Sequence, residues 1–263
     1  MTPGDSAETR SFKRYVAIGD SQTEGLHDYH QDGRLRGWAD RFAESLAATN
    51  SDLLYANLAV RGKRTAAILE GQLEAALALD PDLVTVVSGV NDVVRRSVDL
   101  AQVGRDLEMM YEALRAEGRV VIACTFPLPE AGLTRHVAPR LAALNAMIRS
   151  AATRQGALYV DLEGVRSAVD LRLWSLDRIH LNSLGHERLA GAFKSVLAGG
   201  TDETWQEPLP EEASRTALQT LVGEASWSVR FVIPKVLRML RGKSSGDGRS
   251  AKRPHLARVR QGD

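Results

Sequence analysis

Short apolar runs rich in valine and alanine alternate along the chain with longer stretches whose apolar residues recur every three or four positions. The short runs, bounded by turn formers, predict strands, and the longer stretches predict amphipathic helices. Strands are expected at Tyr15 to Ile18, Leu53 to Asn57, Leu83 to Val87, Val120 to Cys124 and Leu158 to Val160. Helices are expected at Trp38 to Ala48, Thr65 to Leu79, Leu100 to Glu117, Val137 to Arg154 and Ser183 to Leu197. In the last of these Leu184, Leu189, Phe193, Val196 and Leu197 fall largely on one face. Asp80-Pro81 closes the second helix and Gly118 the third. The alternation predicts an α/β fold, a three-layer α/β/α sandwich around a five-stranded parallel sheet joined by right-handed crossovers. In such sheets ligands collect at the carboxyl ends of the strands, so chemistry is sought there.

Composition adds a boundary. The 263 residues, 44% hydrophobic and 25% charged, suffice for one large core. Residues 1–200 are expected to form the domain and residues 201–226 an acidic, proline-containing linker with a short helix near 211–222. Residues 227–263 are expected to form a basic amphipathic helix up to Arg241 and then a mobile tail rich in Gly, Ser, Arg and Lys. The net charge of +1 hides an asymmetry: from Trp227 onward ten Lys/Arg face two Asp/Glu, a net of +8, which leaves −7 before it. A basic amphipathic end suggests contact with an anionic membrane surface; packing on the domain is the plainer alternative, and no nucleic-acid partner is expected. The polar start and the lack of a spanning apolar run suggest a cytoplasmic protein, at most peripheral to the inner membrane face. The single cysteine, Cys124, sits in an apolar run and reads as a buried small hydrophobe.

Four short segments carry candidate chemistry. The first strand empties into Gly19-Asp20-Ser21-Gln22-Thr23-Glu24-Gly25, a tight turn with an exposed hydroxyl, although Ser21 and Glu24 also have capping-box spacing. Gly62 stands in the loop after the second strand. Asn91, in Gly89-Val90-Asn91-Asp92 after the third strand, is a turn former or a donor to a developing oxyanion. Asp177-Arg178-Ile179-His180 lies just before the last helix; an Asp three residues before a His can fix the imidazole tautomer while the other ring nitrogen faces a serine. His27 and His30, with Asp28 and Asp32, read as a loop walling the cleft rather than a metal site, and His136 and His186 as surface or helix-face residues. There is no Gly-x-Ser-x-Gly elbow, His-Glu-x-x-His helix or complete P-loop.

Together these four segments, in this order from Tyr15 to about Leu197, resemble the sequence blocks of the SGNH hydrolases, the GDSL esterases and lipases, with Gln22 where that family usually has leucine. The resemblance implies a flavodoxin-like hydrolase fold and a carboxylic ester hydrolase with no metal or organic cofactor. It implies Ser21 as nucleophile, His180 as base and Asp177 as its partner, with an oxyanion hole from the Ser21 and Gly62 backbone N–H groups and the Asn91 side chain. Asp20, Trp38 and Phe126 are candidate substrate-binding residues. The expected substrate is an ester carrying a short acyl group on a sugar, lipid or small metabolite. The alternatives are an inactive binding module on the same fold and a thioesterase attached peripherally to the membrane by the basic end.

Overall fold

The computed structural model describes residues 11–95, 97–129, 136–211 and 245–259. The helices expected near 211–222 and 227–241 lie outside them. The first strand, β1 (Arg14–Gly19), is buried from Tyr15 onward, because it is the middle of the sheet and helices cover both of its faces. It pairs in parallel with β2 (Leu54–Asn57) on one side and β3 (Leu83–Val87) on the other. Beyond β3 come β4 (Val120–Cys124) and β5 (Leu158–Val160), also parallel. The crossover helices are α2 (Trp38–Ala47), α3 (Thr65–Ala78), α5 (Leu100–Arg115) and α6 (Ala138–Gln155), and α7 (Ser183–Leu197) follows β5. Two single-turn helices, α1 (Ser21–Glu24) and α4 (Val90–Val93), start directly after β1 and β3.

The sheet has six strands, in the order β5-β4-β3-β1-β2-β6, rather than the five expected. The sixth, β6 (Arg253–Arg258), lies within the segment expected to be mobile and pairs antiparallel with the free edge of β2. Its sequence, Arg-Pro-His-Leu-Ala-Arg, has no strand periodicity, but an edge strand is held by backbone bonds and tolerates proline. Side chains add to them. Arg253 donates to the Tyr55 carbonyl at 3.0 Å and lies over the Tyr55 ring, and Arg258 pairs with Asp52 at 2.9 Å. Lys252 reaches inward to the Asp40 carboxylate and the Arg36 carbonyl. Three basic residues of the tail are therefore engaged within the fold. Among the described residues no helix is long and apolar enough to cross a membrane.

Trp38 belongs to the core rather than to a substrate pocket. It is fully buried and stacks on Phe193, with ring centroids 4.1 Å apart, where α2 meets α7. Cys124 is buried as expected, and burial pushes its thiol far above the range in which a thiolate would form.

Candidate active site

All four segments meet at the carboxyl edge of the sheet, each delivered by the element before it. Gly19 ends β1 where a Cβ would stand 2.6 Å from the Val87 carbonyl oxygen and 2.6 Å from Thr23 Oγ1, so only glycine lets the chain turn that close to β3. The turn places Ser21 first in α1. The cap of that helix is Asp20, whose carboxylate accepts from the Gln22 N–H at 3.1 Å. The capping box suggested by Ser21 and Glu24 does not form, because both side chains are used elsewhere. Glu24 accepts from the Arg61 N–H at 2.7 Å and from the Arg61 guanidinium at 2.6 Å. The Ser21 hydroxyl lies 2.9 Å from His180 Nε2.

His180 is in turn held from behind. Its Nδ1 is 2.7 Å from Asp177 Oδ2, and since a carboxylate only accepts, Nδ1 carries the proton and Nε2 is left with a lone pair toward Ser21. Asp177 Oδ1 accepts from the Ser175 hydroxyl at 2.7 Å, the Ile179 N–H at 2.9 Å and the His180 N–H at 3.0 Å. Burial alone would raise the Asp177 pKa, but the bonds from His180 and Ser175 outweigh it and hold the carboxyl well below its usual range. Asp177 is therefore ionised at neutral pH. The series hydroxyl, imidazole, carboxylate is the arrangement that activates a serine for attack on an electrophilic carbonyl.

Asn91 reaches the same place from α4. Its Nδ2 donates to Asp20 Oδ2 at 2.8 Å and to the Lys63 carbonyl at 3.0 Å, which ties β1, the loop after β2 and the loop after β3 together. The neighbouring Asp92 fixes that loop by accepting from the Thr65 N–H and hydroxyl, both at 2.9 Å, and burial raises its pKa. Gly62 turns the loop in a left-handed conformation, φ 74°. Asp20, expected to bind substrate, has no exposed surface. Its carboxylate instead serves Gln22 and Asn91, so its part is to position them. Phe126 does line a cavity, largely apolar and of about 60 Å³, together with Gln22, Leu162, Trp174 and Leu181.

Two histidines depart from expectation. His27 does not simply wall the cleft: its Nε2 lies 3.3 Å from Asp177 Oδ2, the oxygen that His180 also uses. His186, expected at the surface or on a helix face, stands on α7 and is fully buried. Its Nδ1 accepts from the Trp38 N–H at 3.1 Å and its Nε2 donates to the Leu26 carbonyl at 3.0 Å, joining α7, α2 and the loop after Ser21. Burial lowers its pKa to about 4. Asp28 is occupied by Arg41, at 2.8 Å and 3.1 Å, and by the Gly37 N–H. Among the described residues, His27, Asp177 and His180 bring three possible metal-ligand atoms within 4.8 Å of one another. A cation using all three would displace the proton shared by His180 and Asp177, so it would compete with the series that ends at Ser21. Ser175 was missed as a partner of Asp177, although a hydroxyl two residues before a carboxylate is a readable local pattern.

The family model of GDSL-like lipases and acylhydrolases matches residues 17–188, from inside β1 into α7. The chain belongs to that family. Hydrolysis of esters is accordingly the chemistry at its broadest. Among solved structures it is similar to a lipase/acylhydrolase from Enterococcus faecalis, with a TM-score of 0.59 and 22% identity over 76% of this chain and 100% of the other. TesA matches at a TM-score of 0.59 and 26% identity, over 70% of this chain and 97% of its own. Axe2, an acetylxylan esterase from Geobacillus stearothermophilus, matches at 0.59 and 19%, over 70% and 94%. Identities of 19% and 22% speak for the fold alone. No curated protein sequence matches the chain.

Proposed function

We propose that this hydrolase cleaves carboxylic esters through a covalent acyl-enzyme on Ser21. The observation that carries the reading is the unbroken series from Ser21 Oγ to His180 Nε2, 2.9 Å, and from His180 Nδ1 to Asp177 Oδ2, 2.7 Å. Ser21 Oγ bonds to the ester carbonyl carbon as its proton passes to His180 Nε2. The tetrahedral intermediate collapses by breaking the bond to the alcohol oxygen, which takes that proton from His180. Water then repeats both steps on the acyl-enzyme, with His180 again as base and then acid. Asp177 holds the Nδ1–H tautomer and stabilises the imidazolium. The oxyanion is received by the Ser21 and Gly62 N–H groups and by Asn91, which exchanges its bond to the Lys63 carbonyl for one to the oxyanion. Making that bond only when charge develops favours the transition state over the bound ester.

The acyl group on this reading is short. The cavity beside Gln22 and Leu181, which follow Ser21 and His180 in sequence, is small, about 60 Å³, and has mostly apolar walls. The test is hydrolysis of p-nitrophenyl esters from acetyl to decanoyl, and of matched thioesters, by wild type and Ser21→Ala, with labelling by a fluorophosphonate. Wild type should label and turn over the shortest oxygen esters best, and Ser21→Ala should do neither. An unlabelled, inactive wild type would instead support a binding module, and preference for thioesters would revise the leaving group.

A further inference from the structure

The family model ends at residue 188, yet the described chain returns to the domain at residues 245–259, and two of its contacts fall on the loops that flank Ser21. The first is at Gly246. This buried residue opens a turn closed by the Arg249 N–H on its carbonyl, 3.1 Å. A Cβ on Gly246 would stand 2.1 Å from the Arg61 carbonyl oxygen and 3.4 Å from Val60 Cγ1. Arg61 C=O and Gly62 N–H are the two ends of one planar peptide group, so whatever fixes the oxygen also fixes the direction of the N–H. The other side of Arg61 is anchored independently, its N–H and guanidinium both on Glu24. The second contact is Lys252, whose ammonium donates to the Leu35 and Arg36 carbonyls and the Asp40 carboxylate, where the loop after Ser21 enters α2.

We infer that the returning segment Ser245 to Val259 sets the oxyanion hole: Gly246 is a positioning residue that backs the Arg61–Gly62 peptide and aims the Gly62 N–H, and Lys252 and β6 hold Gly246 there. This rests on the proposed function, since it gives the Gly62 N–H its task. Neither Gly246 nor Lys252 touches substrate. Glycine is required at 246 because the contact is backbone against backbone; any side chain must push the Arg61 oxygen away and rotate the N–H at the far end of the same peptide.

The test uses the full chain and compares wild type, Gly246→Ala and Glu112→Ala, the last an exposed residue of α5. Gly246→Ala should lower kcat for the best p-nitrophenyl ester by about tenfold to a hundredfold, up to the lower end of the loss when an oxyanion donor is removed outright, with KM nearly unchanged. Affinity for a trifluoromethyl ketone, whose adduct carries an oxyanion, should fall in parallel. Glu112→Ala should match wild type in both. Equal kcat in wild type and Gly246→Ala overturns the inference, and so does a fall in kcat with undiminished affinity for the ketone. Should Gly246→Ala not fold, Lys252→Met and Lys252→Arg replace it: the first should show the same kcat loss and the second should recover most of it, and a kcat unaffected by Lys252→Met overturns the inference. If wild type hydrolyses no ester and resists fluorophosphonate, the proposed function itself falls, a result distinct from any of these.

Discussion

The Gln22 side-chain amide donates to the Ile179 carbonyl at 2.7 Å, joining the turn that carries Ser21 to the peptide that enters His180. The other end of that peptide, the His180 N–H, is held by Asp177 Oδ1 at 3.0 Å. Gln22 therefore helps fix the distance between Ser21 and His180, a part that leucine, usual at this position in the family, cannot play. Gln22 Oε1, however, is buried with no hydrogen-bond partner among the described residues, so leucine would also remove a costly acceptor. Gln22→Leu should change unfolding free energy by less than about 1 kcal/mol while lowering kcat by about threefold to tenfold. Urea unfolding measured beside ester turnover checks both; an unchanged kcat would mean that the bond to Ile179 does not govern the Ser21 to His180 approach.

Asn91 offers a contrast. Both of its donated bonds, to Asp20 and to the Lys63 carbonyl, are made in the resting site. Under the proposed mechanism, removing the side chain takes away a transition-state donor, and in the fold it loosens the buried Asp20. Asn91→Ala should lower kcat by about a hundredfold with little change in KM, and should also lower Tm, since Asp20 loses a partner. Steady-state kinetics across the range of substrate concentration decide it. A rise in KM at constant kcat would place Asn91 in ground-state binding instead.

The carboxylate behind His180 is over-determined, and that sets the size of another effect. Asp177 takes three donors on Oδ1 and His180 on Oδ2, so the approach of His27 to Oδ2 at 3.3 Å is one support among several. His27→Ala should cost less than about tenfold in kcat, whereas Asp177→Asn, which reverses the preferred tautomer of His180, should cost about 10⁴-fold. Comparable losses in the two variants would show that His27 does more than steady the carboxylate.

How far the chain could be read in advance depended on how local each signal was. The strands Leu83–Val87, Val120–Cys124 and Leu158–Val160 and the helix Ser183–Leu197 have the bounds their apolar patterns predict, because those elements are held by burial and burial is written in hydrophobicity. The site was legible for a similar reason: Ser21, Asn91 and the Asp177 to His180 turn each follow a strand or precede a helix, where an element's end fixes the direction of the side chain. β6 was not legible, since its adhesion lies in backbone bonds to β2 and in cations reaching Tyr55, Asp52 and Asp40 from about 200 residues away. Nor was the burial of His186. A histidine beside Glu187 near a helix start reads as exposed until the Trp38 N–H and the Leu26 carbonyl are known to need it.

That burial gives His186 a measurable signature in acid. Folding lowers its pKa from 6.5 to about 4, so between those values the unfolded chain binds a proton that the folded protein refuses. Stability from this group is complete above pH 6.5, declines as pH falls and is lost by about pH 4, a change of about 3 kcal/mol. Asp40 acts in the opposite sense. Burial, only partly offset by Lys252, raises its pKa from 3.8 to about 6, so the stability it contributes is present below 3.8 and lost as pH rises through 6. Wild type alone would therefore show a shallow slope between pH 4 and 6.5, and the His186 share emerges by difference. His186→Gln, which keeps a donor for Leu26 and an acceptor for Trp38, should be less stable than wild type at pH 7 and should draw level with it or surpass it near pH 4. Urea midpoints measured at half-unit steps from pH 7.5 to 4 test this; parallel curves for the two proteins would show that His186 is not held neutral in the fold.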